Sequence, residues 1–198
     1  PWQAQEPVYR PGYQLFPEHS FQHSPILGAG TGSDTATALA NGVKEITAVE
    51  IDPVIQKLGT ELHPDRPYSD PRVHLVNNDG RVFLRQTKEK YDLIIFALPD
   101  SLTLTSSIAN LRLESFLFTQ DSLAAARAAL TPDGVLVLYI YYREPWLIVK
   151  LASMVGRPFG RASVVSTYGC HGRRAARVTA PRLPDLLADE CAPSRLDP

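Results

Sequence analysis

Short apolar runs rich in β-branched residues alternate with stretches of helical pattern from residue 25 to residue 155, and no other feature constrains the fold as much. Residues 25–27, 45–51, 72–76, 91–98 and 135–139 read as strands. Residues 33–40, 80–87, 120–130 and 145–155 read as helices, with another from Pro53 to near His63-Pro64. A strand, a helix and a further strand at this spacing form a parallel pair with a right-handed crossover. The punctuation agrees. Asn41-Gly42 stops the first helix, Asp52 caps the second with Pro53 in its first turn, and Thr131-Pro132-Asp133-Gly134 reads as a turn before the fifth strand. Two weaker strands, 162–167 and 175–179, extend the sheet to seven, mostly parallel. Residues 1–24, with four prolines and the aromatics Trp2, Tyr9, Tyr13, Phe16 and Phe21, read as an irregular lead-in, 25–180 as one domain, and 181–198 as a tail.

Composition removes several function classes. A net charge of −1 is unlike a dedicated nucleic-acid binder, so no nucleic-acid partner is expected. Arg157, Arg161, Arg173, Arg174, Arg177 and Arg182 form a basic stretch without an acid, read as a solvated rim, with a patch for an anionic partner or membrane surface as the alternative. Cys170 and Cys191 make neither a disulfide framework nor a CxxC metal site, and the five histidines do not cluster, His19 and His23 falling in the lead-in, so no metal is expected. No apolar run reaches ~20 residues and no signal peptide is read, so the expected location is cytoplasmic. A chain that opens on Pro1 is expected to be processed or part of a longer one.

In an open α/β sheet, ligands bind beyond the carboxyl ends of the strands. The turn Gly28-Ala29-Gly30-Thr31-Gly32 lies there, and its missing Cβ atoms let a ligand approach the backbone. Glu50, closing the second strand and followed by Ile51, is placed to accept both hydroxyls of a ribose; an exposed surface acid is the alternative. Asp79, followed by Gly80, is placed to accept from the exocyclic amine of adenine; an N-cap is its structural alternative. These three features in this order describe a site for an adenosine with a 5′ substituent. No Lys-Ser/Thr pair for a polyphosphate is present, and S-adenosylmethionine is a nucleoside of the required kind. The fourth strand leads through Ala97 to Asp100, a candidate acid on the acceptor side that would orient an amine and take its proton; a turn-forming Asp before Ser101 is the alternative. Tyr141 and Tyr142 follow the fifth strand on the same side, and Asp92, at the far end of the fourth, reads as structural.

From Ile26 to about Gly156 the chain resembles the spermidine synthase family of polyamine aminopropyltransferases. The residues that carry the likeness are the glycine turn, Val49-Glu50-Ile51-Asp52-Pro53, Asp70-Pro71-Arg72-Val73, Asp79-Gly80-Arg81, Tyr91-Asp92-Leu93-Ile94-Ile95 and Leu130-x-Pro132-x-Gly134. The resemblance implies a Rossmann-like three-layer αβα sandwich, the class I methyltransferase fold. It implies decarboxylated S-adenosylmethionine as donor and a small-molecule amine as acceptor, and it allows a homodimer. The group it most resembles is bacterial, with this domain often joined to membrane-spanning segments of a longer polypeptide. The family usually has an acid where this chain has Thr31 and another, central to catalysis, where it has Ala97. Three readings follow: aminopropyl transfer, methyl transfer from S-adenosylmethionine, and nucleoside binding without turnover. Ser33 in the glycine turn disfavours an NAD-dependent dehydrogenase.

Overall fold

The computed structural model of the chain describes residues 13, 16, 20–97, 117–141, 145–160, 163–170 and 173–180. In chain order the elements are β1 (His23–Leu27), α1 (Ser33–Ala40), β2 (Glu45–Glu50), α2 (Pro53–Leu62), a 3₁₀ turn (Pro67–Ser69), β3 (Val73–Asn77), α3 (Gly80–Gln86), β4 (Tyr91–Phe96), α4 (Gln120–Ala129), β5 (Leu130–Tyr141), α5 (Pro145–Phe159), β6 (Val164–Cys170) and β7 (Arg173–Ala180). The sheet order is β3-β2-β1-β4-β5-β7-β6. Strands β1 to β5 pair in parallel. Strand β7 runs antiparallel to both β5 and β6.

The alternation of side chains along each strand sorts the core into two layers. Leu27, Val49, Ile94, Phe96, Leu136 and Leu138 turn to the face covered by α3, α4 and α5. Their neighbours Ile26, Ala48, Ile95, Val135 and Val137 turn to the other face, where Ala38 of α1 and Tyr68 of the 3₁₀ turn meet them. The central strands therefore carry apolar residues on both faces, as parallel strands covered on both sides do. Asp92 breaks that run for a reason. Its carboxylate accepts from the backbone N–H groups of Gln22 at 2.6 Å and His23 at 3.0 Å and fixes the entry to β1.

Three expectations need correction. Strand β1 starts at His23, so that histidine belongs to the sheet and not to the lead-in. Tyr13, Phe16 and Phe21 of the lead-in are buried in the core, with Phe21 edge-on to both others at ring separations of 6.2 and 6.1 Å. Their aromatic area, not a periodic pattern, puts them there. Residues 131–134 lie inside β5. Leu130 is opposite Tyr91 and Val135 is opposite Leu93, so the extra residues form a bulge against β4. Gly134 sits where a Cβ would come within 2.8 Å of the Tyr91 carbonyl, which explains why the bulge needs glycine.

Candidate functional site

The carboxyl ends of β1 to β4 bring the glycine turn, Glu50, Ile51, Asp79, Gly80 and Ala97 to one edge of the sheet. Backbone hydrogen bonds tie the turn to β2 and to itself. Gly28 and Ala29 both donate to the Val49 carbonyl at 2.9 and 3.0 Å, and Gly32 donates to Ala29 at 3.0 Å. At Gly32 the backbone is left-handed, with φ 107°, and a Cβ would lie 2.7 Å from Pro67 Cγ, so only glycine fits.

Glu50 is 6% exposed, which removes the surface-acid reading. Its Oε2 accepts from Gly30 N–H at 2.8 Å and its Oε1 from Asp52 N–H at 3.0 Å. One carboxylate thus ties the glycine turn to the start of α2. Each oxygen keeps further acceptor capacity for a ligand hydroxyl. Asp52 itself is the cap of α2, accepting from Val54 and Ile55, as its place before Pro53 predicts. Asp79 caps α3 through Oδ1, which accepts from Arg81 at 2.8 Å and Val82 at 3.0 Å. Its Oδ2 accepts no hydrogen bond among the described residues, so capping the helix does not use up the carboxylate. Asn77 and Asn78 position this corner. The Asn77 side-chain amide donates to the carbonyls of Glu50 and Ile51, and Asn78 N–H donates to Glu50 O.

Gly80 sits against Leu27, where a Cβ would come within 3.2 Å of that side chain's own Cβ. Ile51 is exposed beside Glu50, and Ala97, 1% exposed, hydrogen-bonds to Leu27 O through its N–H. Ala97 therefore closes the floor and offers no titratable group. Tyr141 is the last residue of β5, with its backbone opposite Ala175 of β7. Asp100 and Tyr142 lie outside the described residues. Among the described residues, no group of three His, Cys, Asp or Glu side chains is gathered as a metal site. Nor is any helix there long and apolar enough to cross a membrane.

Three residues at this site are not singled out by the sequence. Tyr68 places its hydroxyl 2.7 Å from Gly30 O and 3.1 Å from Ala29 O, beneath the turn. Desolvation, reinforced by the nearby charges of Glu50 and Asp34, pushes its phenol far above the ordinary value, so it stays a donor. Gly59 of α2 backs the turn from another side, where a Cβ would lie 2.5 Å from Thr31 O. Asp34, 8% exposed in the first turn of α1, is pushed up to about 7 by burial, against the pull of its own backbone N–H. A lone glycine inside a helical pattern is the one local signal that pointed at any of the three.

The spermine/spermidine synthase domain matches residues 25–166. The chain belongs to that family. A polyamine aminopropyltransferase of Sulfolobus acidocaldarius is 33% identical over 117 residues, covering 57% of this chain and 36% of that protein. Polyamine aminopropyltransferase 1 of Streptomyces coelicolor is 29% identical over 155 residues, covering 72% of this chain and 28% of that protein. The chain thus spans about a third of the length of these curated relatives. Among solved structures, spermidine synthase in complex with the transition state analogue AdoDATO superposes with a TM-score of 0.61 at 19% identity, over 84% of this chain and 56% of that one. Human methyltransferase-like protein 13 in complex with SAH gives 0.63 at 20%, over 90% of this chain and 79% of that one. The fold is accordingly the Rossmann-like class I methyltransferase fold, and the family's curated members are transferases.

Proposed function

We propose that this domain binds an adenosyl sulfonium donor, S-adenosylmethionine or its decarboxylated form, and transfers an alkyl group from it to a small amine. The observation that carries this reading is the buried Glu50 carboxylate, bound to the glycine turn and placed at the sheet edge with Asp79. Glu50 would hold the ribose hydroxyls, the free Oδ2 of Asp79 the adenine amine, and the turn the chain beyond the ribose. Family membership supports the aminopropyl group as the one transferred. In that reaction the amine lone pair forms a bond to the carbon next to sulfur. The carbon–sulfur bond breaks, and its electrons leave a neutral thioether. Asp100 would orient the amine and take its proton, while the site contributes positioning and exclusion of water. Thr31, neutral and exposed in the turn, favours methyl transfer as the second reading.

Calorimetric titration with S-adenosylmethionine, decarboxylated S-adenosylmethionine and NAD tests the proposal. Binding of a sulfonium nucleoside is expected, and binding of NAD alone would refute it. Product formed from putrescine with the decarboxylated donor identifies aminopropyl transfer, and binding without product identifies a domain that does not turn over. Replacing Glu50 with Ala is expected to weaken nucleoside binding by ~1–3 kcal/mol, because hydrogen bonds to a charged group are lost. Unchanged affinity would remove Glu50 from the site.

A further inference from the structure

Helix α2 presents its apolar residues to solvent. Of its ten residues only Gly59 is buried. Val54, Leu58 and Leu62 follow one another a turn apart on one stripe, and the first and last are 63% and 71% exposed. Ile55 borders the stripe, and Leu75 of the edge strand β3 is exposed as well. Along β3, Val76 packs into the layer of Leu27 and Val49, and Val73 into the layer of Ile26 and Ala48. Alternation therefore puts Leu75 on the face of Val73, where α2 rests on the 3₁₀ turn. The outward parts of these five side chains amount to roughly 400 Å² of apolar surface, large for a face left in water.

Strand β3 adds an open edge. It ends the sheet, and no other described strand lies beyond it. Arg72 O accepts from Ile46 N–H, and Asn78 N–H donates to Glu50 O, so the even-numbered residues here bond inward to β2. By the alternation of a parallel ladder, the N–H and C=O groups of Leu75 and Asn77 point outward. The devices that keep sheet edges apart, a lysine, a proline or a bulge, are missing. The strand reads Val73-His74-Leu75-Val76-Asn77, and its register with β2 is unbroken. His74 is already engaged with Glu45 of β2 at 3.3 Å.

An open edge and an apolar helix face side by side fit a second copy of this chain. Antiparallel pairing of two β3 strands about Leu75 lets each Leu75 N–H donate to the other's carbonyl. It sets His74 opposite Val76, so no like charges meet directly. The twofold axis then runs through the sheet, and the two α2 helices lie on the same side of it in opposite directions. A standard interface buries about 800 Å² per partner and in homodimers is about 65% apolar, or roughly 500 Å². The apolar patch supplies most of that area, and the strand edge supplies polar surface.

We propose that the chain forms a twofold-symmetric dimer through β3 and α2, joining two seven-stranded sheets into one. The paired strands run in opposite directions. The two candidate sites, each at the carboxyl ends of its own strands, therefore open at opposite ends of the joined sheet, and neither blocks the other. The proposal holds whatever the site binds.

Sedimentation equilibrium of the unmodified chain from about 1 to about 100 µM tests it, and a mass of twice the chain is expected. Val54→Glu combined with Leu62→Glu, both at exposed positions, is expected to weaken association about a hundredfold while the circular dichroism spectrum is unchanged. Leu75→Cys, with Cys170 and Cys191 replaced by Ser, is expected to give a covalent dimer on mild oxidation. The two Leu75 Cα atoms would face each other at about 5.5 Å, within disulfide range. A monomer at every concentration would overturn the proposal, whether the face is then left bare or covered by another part of a longer chain. So would association that continues beyond the dimer, a dimer that the double substitution leaves equally tight, or a Leu75→Cys chain that does not crosslink.

Discussion

Replacing Asp34 with Asn should change the pH dependence of stability more than any other single substitution at the glycine turn. The carboxyl is buried in the first turn of α1, and burial raises its pKa from 3.8 to about 7. A helix N-terminus ordinarily favours the ionised form, so burial has to outweigh the helix dipole here. Between these two values the native state holds a proton that the unfolded chain has released. Stability from this group is therefore fully present below 3.8 and is lost as the pH rises through about 7. The interval covers about three pH units, and at ~1.4 kcal/mol per unit the loss is about 4 kcal/mol. Asn has nearly the same shape and does not titrate. Its amide adds a constant offset where it lacks a partner, but no slope. Urea unfolding of both proteins from about pH 4 to about pH 8, analysed by linear extrapolation, measures the difference directly. The variant is expected to gain on the unmodified protein steadily across that range, by up to about 4 kcal/mol at the alkaline end. A difference independent of pH would refute the burial argument, and one that grows toward acid would reverse its sign.

Two further substitutions test the frame around the site. Gly59→Ala would ordinarily stabilise a helix by up to ~1 kcal/mol, yet its methyl would overlap Thr31 O. A net loss of about 1–3 kcal/mol in urea unfolding is expected, and a gain would contradict the close approach. Asp92→Ala removes the acceptor for the Gln22 and His23 N–H groups; a cost of about 1–3 kcal/mol and faster hydrogen exchange at His23 are expected, and unchanged exchange would dismiss the anchor.

The parallel sheet was legible because its strands are β-branched and apolar on both faces, a pattern set by burial between two helical layers. The positions of Glu50 and Asp79 were legible because each follows a strand of a parallel sheet, and such strand ends share one edge. Asp79 also shows the limit of choosing between roles, since one oxygen caps a helix while the other accepts no hydrogen bond among the described residues. Residues 131–134 carry turn-forming chemistry that sequence reads locally, whereas the bulge exists only against Tyr91 and Leu93 of the neighbouring strand. Phe21 and its partners gave no periodicity, because a cluster of rings is recruited by area and not by register. Tyr68 and Gly59 acquire their roles only when α2 and the 3₁₀ turn close under the glycine turn, a contact between segments that no local pattern encodes. Asp100 and Tyr142 fall outside the described residues, so the acceptor side rests on sequence.

The position of β7 between β5 and β6 has a consequence for how the chain assembles. Each of the first five strands can join after its neighbour exists, but β6 precedes β7 in the chain and has no direct pairing with β5. The sheet cannot be completed by adding strands outward in the order of synthesis. Until residues 173–180 arrive, β5 presents an open edge of backbone donors and acceptors, the surface on which another chain can pair. Insertion of β7 is thus the step that covers the long β5 edge and moves the open edge of the sheet to β6, and a chain cut before residue 173 is expected to associate through β5.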